Sequence, residues 1–295
     1  GGGSAGAGGI GGLMLALPLG ISWFLAVGLA FLNGRRRWVG WLGVGALLAT
    51  LGALIWLAPV GLGQGPVEMV AGGWPPGVGI TLRADSLGIL FAVLSTGVLL
   101  AAALHEVLGG VSTRTFPSLV LFMATGLNGL FLTGDAFNFY VFFEISMASA
   151  FVLASYGEQG RHIRATVSFV VVNLLGSVLF LVGVASLYHV AGSLDMREIA
   201  ARVTVANPTS IMLISTVLFV AFGIKLGLFP FHYWLPAVYR DTLPAVTAML
   251  AGALANIGSF GLLRFGAEIL PQSLQVGAVA LLVVGSLGII YGEIL

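Results

Sequence analysis

Apolar runs of membrane-spanning length, separated by short polar connections, fill almost the whole chain. A helix that crosses the hydrocarbon needs about 20 consecutive apolar residues, because each residue adds about 1.5 Å and no backbone amide can be left to water. About nine runs meet or approach that length, at 13–32, 38–60, 84–104, 116–132, 136–156, 163–188, 208–229, 243–265 and 274–290. The pattern predicts an all-α polytopic membrane protein with about nine transmembrane helices. The longest connections, 61–82 and 189–207, are too short to fold alone and are read as caps over the bundle. Within the second, 194–203 has the apolar spacing of a small amphipathic interfacial helix.

Composition removes the alternatives. The 295 residues are 58% hydrophobic and 8% charged, against roughly 25% charged for a soluble domain, so the solvent is the lipid bilayer. The absence of cysteine excludes disulfides, thiolate metal sites and thiol nucleophiles. Four scattered histidines leave little for a metal cluster, so neither a metal nor a cofactor is expected. A net charge of +1 supplies no basic field for nucleic acid, and 44 glycines in lipid read as close helix packing.

Placing Arg35, Arg36 and Arg37 in the cytoplasm also puts Arg114, Arg161, Arg164 and Arg240 inside, leaving Arg83, Arg197, Arg202 and Arg264 outside. This predicts an external N-terminus in a multi-pass membrane protein. The glycine-rich stretch 1–12 lacks an initiator Met and a basic signal-peptide region, and is read as a disordered, processed or incomplete terminus.

Two ionisable residues stand inside the runs, where a charge costs about 2.5 to 3.5 kcal/mol at mid-helix. Lys225 is the single lysine among 12 basic residues. Lysine, unlike arginine, can surrender its proton when desolvated, so its position suggests a titratable cation; snorkelling to the nearby helix end, or a static pair, is the other reading. Glu144 sits among Tyr140, Phe142 and Phe143, with Tyr140, Val141, Met147 and Ala148 at helical spacing and no cation among them. Compensation must come from another helix, from water or from protonation, and Lys225 is the candidate partner. If the two approach, each stabilises the other's charged form, and their separation favours both neutral forms. A static ion pair that only locks helices is the alternative.

The segment Phe222-Gly223-Ile224-Lys225-Leu226-Gly227-Leu228-Phe229-Pro230-Phe231-His232-Tyr233-Trp234-Leu235-Pro236 predicts a broken helix. Pro230 has no N–H for the carbonyl of Leu226, and Gly223 and Gly227 leave room for water; interrupted helices at membrane depth commonly line ion paths. His232 is a relay candidate or a hydrogen-bonded structural residue. Asp135 is an N-cap of the fifth run or a mouth for protons. The aromatic stripe of Phe137, Phe139, Phe142, Phe143 and Phe151 reads as helix packing. Asn173, Ser177, Ser215, Thr216 and Asn256 could hold water or bridge helices. Arg83 with Asp85, His105 with Glu106, Glu158 with Arg161, and Asp195, Arg197 and Glu198 read as solvated loop charges.

The phrases Thr133-Gly134-Asp135-Ala136-Phe137-Asn138-Phe139-Tyr140-Val141-Phe142-Phe143-Glu144 and Phe222-Gly223-Ile224-Lys225 through Leu235-Pro236 resemble the antiporter-like subunits of Mrp-type cation/proton antiporters and of complex I. The first looks most like the Mrp D-type subunit, and the resemblance runs from about residue 73 to the end. It implies that Glu144 and Lys225 form the proton-handling pair on a fifth helix and a broken seventh, and that the aromatic-His-Trp-Leu-Pro turn falls on His232, Trp234 and Pro236. Such subunits carry a further lysine on the eighth helix, where this chain has Asn256. They also have about fourteen helices in two inverted five-helix repeats. This divides the chain into 1–12, helices one to three over 13–115, a five-helix proton-translocating repeat over 116–266 and the start of a second over 267–295. Either the chain is a fragment of a longer subunit or its second half-channel belongs to another chain.

The leading expectation is a proton-translocating subunit of a multisubunit Na+/proton antiporter, a transporter rather than an enzyme in itself. Its partners would be other membrane subunits, protons, and Na+ or another monovalent cation. The alternatives are a proton-pumping subunit of a redox complex, such as an NADH-quinone oxidoreductase or membrane-bound hydrogenase, and a non-conducting scaffold.

Overall fold

The computed structural model describes residues 4–63, 65–70, 79–111, 113–156 and 160–294. Among them, eight helices are long and apolar enough to cross a membrane: Gly11–Ala30, Arg37–Gly61, Ser86–Gly109, Ala136–Ala154, Ile163–Ala191, Pro208–Asp241, Pro244–Ile269 and Pro271–Tyr291. The remaining apolar run is helical over Phe116–Phe131, which at 16 residues is shorter than the usual span. Glu158 lies outside the described residues, as does the start of the glycine-rich terminus, so its pairing with Arg161 is not described.

The chain forms two compact units, residues 1–156 with 242–254, and 157–241 with 255–295. In the first, α1 (Ser4–Ala30), α2 (Arg37–Gly63), α3 (Ser86–Gly109) and α5 (Ala136–Ala154) surround α4 (Phe116–Phe131), which is buried along almost its whole length. Three buried hydroxyls of this unit find partners on neighbouring helices. Ser118 Oγ donates to the Ala26 carbonyl at 2.7 Å, Thr125 Oγ1 to Ser22 Oγ at 2.9 Å, and Thr96 Oγ1 to Asn128 Oδ1 at 3.1 Å. α4 and α5 approach closely because Gly126 and Gly129 carry no side chain. A Cβ at Gly126 would lie 2.6 Å from the Ser146 amide, and one at Gly129 would lie 2.2 Å from the Phe142 ring. A short helix, α10 (Pro244–Met249), and a π-helical turn at Leu250–Leu254 complete this unit.

The chain is not wholly helical. β1 (Val67–Val70) and β2 (Thr81–Ala84) pair antiparallel, with Val67 opposite Ala84. The Arg83 amide donates to Leu132 and the Gly134 amide to Thr81, both at 2.8 Å, which fastens this ribbon to the α4–α5 turn. The strands Val67–Val70 and Thr81–Ala84 therefore have backbone partners that a hydropathy pattern does not reveal. Arg83 and Asp85 are corrected accordingly. Their side chains are only 12% and 13% exposed, 3.2 Å apart, with Glu68 3.9 Å from the guanidinium, so they clamp the ribbon rather than float in solvent.

In the second unit α6 (Gly160–Ala191) runs antiparallel to α8 (Pro208–Leu226). Gly183 faces Leu218, Phe180 meets Phe222 at 5.3 Å, and Gly176 faces Ile224 and Lys225. α7 (Met196–Val203) buries Met196, Ile199 and Val203; Asp195 caps it, accepting from the Arg197 and Glu198 amides. After α8 come a 3-10 turn (Phe231–Tyr233), α9 (Trp234–Asp241), α11 (Asn256–Gly261), a π-helical stretch (Leu262–Ile269) and α12 (Pro271–Ile294). Phe180, Phe222 and Phe265 pack as a triangle with centroids 5.3 to 5.5 Å apart.

Candidate functional site

α8 stops at Leu226, inside an apolar run that continues to Phe229. Gly227 adopts φ +63°, ψ +38°, a left-handed conformation that favours glycine. Its amide donates to Ile224 at 3.1 Å, and the Leu228 amide reaches back to Gly223 at 2.9 Å, the two bonds of a Schellman cap. Termination is therefore made by Gly227, with Pro230 opening the turn that follows; the carbonyls of Gly223 and Ile224 are satisfied by the cap.

Lys225 lies in the last turn of α8, at the negative end of the helix dipole, and is 7% exposed. Its Nζ donates to the Asn173 carbonyl at 2.7 Å and to Ser177 Oγ at 3.2 Å. Ser177 Oγ itself donates to the Asn173 carbonyl at 3.0 Å, so its lone pairs are available to the ammonium. The Asn173 amide instead donates to the Phe169 carbonyl at 2.9 Å. Gly176 completes the cradle: a Cβ there would stand 3.2 Å from Lys225 Cε. Lys225 thus stays inside the unit rather than snorkelling. Ser215 and Thr216, by contrast, turn back on their own helix, both donating to the Met212 carbonyl.

His232 follows in the 3-10 turn, half-buried, stacked on Phe229 at 5.5 Å and set edge-on to Tyr291 at 4.5 Å. Its Nδ1 is buried without a hydrogen-bond partner, as is Trp234 Nε1, whose ring stacks on Phe169 at 5.0 Å. Asn256 begins α11 directly after the π-helical turn and Ala255, and is half-buried.

In the other unit, Glu144 lies in the middle of α5, half-buried, with Oε1 enclosed and without a hydrogen-bond partner. Asp135 is the N-cap of the same helix, its Oδ1 accepting from the Asn138 amide at 2.6 Å. Glu144 and Asp135 therefore share one helix of the first unit, while Lys225, His232 and Asn256 belong to the second.

One buried charge was not singled out as a candidate above. Arg264, counted there on the external side of the membrane, is 2% exposed inside the span Pro244–Ile269, paired with Glu268 one turn on and lying 5.1 Å over the Phe260 ring. The signal was present: Arg264 falls within the run 243–265, and a glutamate follows at i+4.

The fold is that of a polytopic helical membrane protein with a sole lysine cradled at an interrupted span and a half-buried carboxylate in the middle of another. Residues 133–295 match the family model of the NADH:quinone oxidoreductase/Mrp antiporter transmembrane region, and the chain belongs to that family. It is 34% identical to a probable K(+)/H(+) antiporter subunit, of the D type, from Rhizobium meliloti, over 85% of this chain and 48% of that protein. Among solved structures, a chain of the Mrp complex from Dietzia sp. DQ12-45-1b superposes with TM-score 0.81 at 28% identity, over 92% of this chain and 52% of that one. A chain of respiratory complex I from Thermus thermophilus superposes with TM-score 0.77 at 26% identity, over 94% and 57%. The chain spans about half the length of the relatives it matches.

Proposed function

We propose that this chain is the proton-translocating part of a multisubunit cation/proton antiporter, with Glu144 and Lys225 as its proton-handling pair and Na+ or another monovalent cation as the exchanged ion. The observation that carries the reading is the placement of Lys225: the one lysine of the sequence, inside a membrane unit, at the end of an interrupted helix. A carbonyl and a hydroxyl that accept from its ammonium give it a polar berth at membrane depth. Arginine could not serve, since it keeps its proton at any accessible pH. His232 and Asn256 would extend the path on the Lys225 side and Asp135 on the Glu144 side; Asn256 orders water but does not ionise.

The test is proton-coupled cation transport in everted membrane vesicles carrying the complete complex, with assembly verified by copurification. Glu144→Gln and Lys225→Ala are each expected to abolish most of the coupled transport while the complex still assembles. Full transport in either variant would overturn the assignment, and loss of assembly alone would move the chain toward a scaffold role.

The likeness to a complex I chain favours a second reading, a pump arm driven by a redox module in partner subunits. Copurification of redox subunits would select it. The plasma membrane location and external N-terminus belong to the same proposal; labelling of single cysteines introduced into this cysteine-free chain from either side of the membrane tests the orientation.

A further inference from the structure

We propose that the α1–α2 and α3–α4 turns of the first unit form a binding site for the headgroup of an anionic phospholipid. Arg35, Arg36, Arg37 and Arg114 are all exposed at one end of this unit. They are held together by backbone: the Gly34 amide donates to the Arg114 carbonyl at 2.7 Å, and a Cβ on Gly34 would collide with that oxygen and with Pro117. The Arg35 amide is fixed by Asn33 Oδ1 at 3.1 Å and the Arg36 amide by the Asn33 carbonyl at 3.0 Å, so the turn presents its arginines from a set frame. Among the described residues of the unit, Glu106 in the last turn of α3 is the carboxylate at this end, with His105 beside it; Asp85 and Asp135 cap the opposite ends, Glu68 lies on the ribbon there, and Glu144 is in mid-span.

The wall below the arginines identifies the occupant. Trp38, Trp41 and Leu42 are exposed on α2 just beyond Arg37, Phe31 is 80% exposed at the end of α1, and the same α2 face continues through Leu48 and Ile55 to Trp56. The rise from Trp38 to Trp56 at about 1.5 Å per residue is about 27 Å, close to the hydrocarbon thickness of about 30 Å. Tryptophans at both ends of an outward apolar face mark the two interfaces of a bilayer, so the arginines stand at headgroup level on one side. An anionic lipid satisfies both features at once, phosphate on guanidinium and acyl chains along the face; an acidic protein partner would leave the apolar stripe unexplained.

The experiment places photoreactive p-benzoylphenylalanine at position 38 of the full-length chain in its assembled complex, in nanodiscs of equimolar phosphatidylcholine and phosphatidylglycerol. Adducts are identified by mass spectrometry. Phosphatidylglycerol adducts are expected to exceed phosphatidylcholine adducts about fivefold or more. The preference should fall to near parity in Arg36→Gln/Arg37→Gln/Arg114→Gln and survive in the corresponding triple lysine variant, which separates charge from folding. Equal labelling of the two lipids in the parent, or adducts to another subunit in place of lipid, would overturn the proposal.

Discussion

Lys225 donates to the backbone carbonyl of Asn173 at 2.7 Å, an acceptor that no side-chain substitution at Asn173 removes. The structural variable is therefore the hydroxyl of Ser177, 3.2 Å from the same nitrogen. Ser177→Ala is expected to weaken the berth by about 1.5–3 kcal/mol of charge-assisted hydrogen bonding and to slow transport by roughly tenfold or more. Asn173→Ala keeps the carbonyl and should cost transport less. Initial rates in vesicles of matched subunit content check the order of the two variants; the reverse order would show that the Asn173 amide, not the Ser177 hydroxyl, governs the lysine.

Gly227→Ala tests the cap that ends α8. It places a Cβ 2.2 Å from Leu235 Cδ1 and holds an L-residue at φ +63°. The backbone strain alone is about 1 to 2 kcal/mol, and the clash adds to it. A lowered melting temperature in detergent is expected, together with transport lost out of proportion to subunit loss, because the turn carrying His232 must shift. Gly223→Ala in the preceding turn meets only Leu228 at 3.8 Å and should be mild by comparison.

Removing one partner of the Arg264–Glu268 pair should harm stability more than removing both. Glu268→Gln leaves a guanidinium that is 2% exposed without its carboxylate, and a loss of about 3 kcal/mol is expected. The double variant Arg264→Met/Glu268→Gln should recover part of it. A thermodynamic cycle from thermal unfolding of the four proteins reads the coupling, and strict additivity would show that the pair makes no net contribution.

Asp135 separates capping from proton chemistry. Asp135→Asn preserves an N-cap acceptor for the Asn138 amide, whereas Asp135→Ala removes it at about 1 kcal/mol. If Asp135 relays protons, both variants lose transport; if it only caps α5, the Asn variant keeps the parent rate and stability while the Ala variant melts lower. Parallel vesicle rates and melting temperatures distinguish the two outcomes.

The chain's apolar runs determined on their own that it is a helical membrane protein, and the rarity of charge pointed to Lys225 and Glu144. Those conclusions are legible in one dimension because hydrocarbon tolerates neither an unpaired backbone nor an uncompensated ion at low cost, whatever the tertiary arrangement. Only the folded structure decided what surrounds the lysine. The acceptor of Lys225 is a carbonyl of another helix, which every residue possesses and no residue name announces. The space for its side chain is made by Gly176, one glycine among 44. The β-ribbon at Val67–Val70 and Thr81–Ala84 is too short to show a period, and the burial of Arg264 against Glu268 could not be read from its distance to a span end along the chain. Hydropathy fixes which segments leave water; pairing and close approach depend on contacts between residues far apart in sequence, and those exist only once the helices have packed.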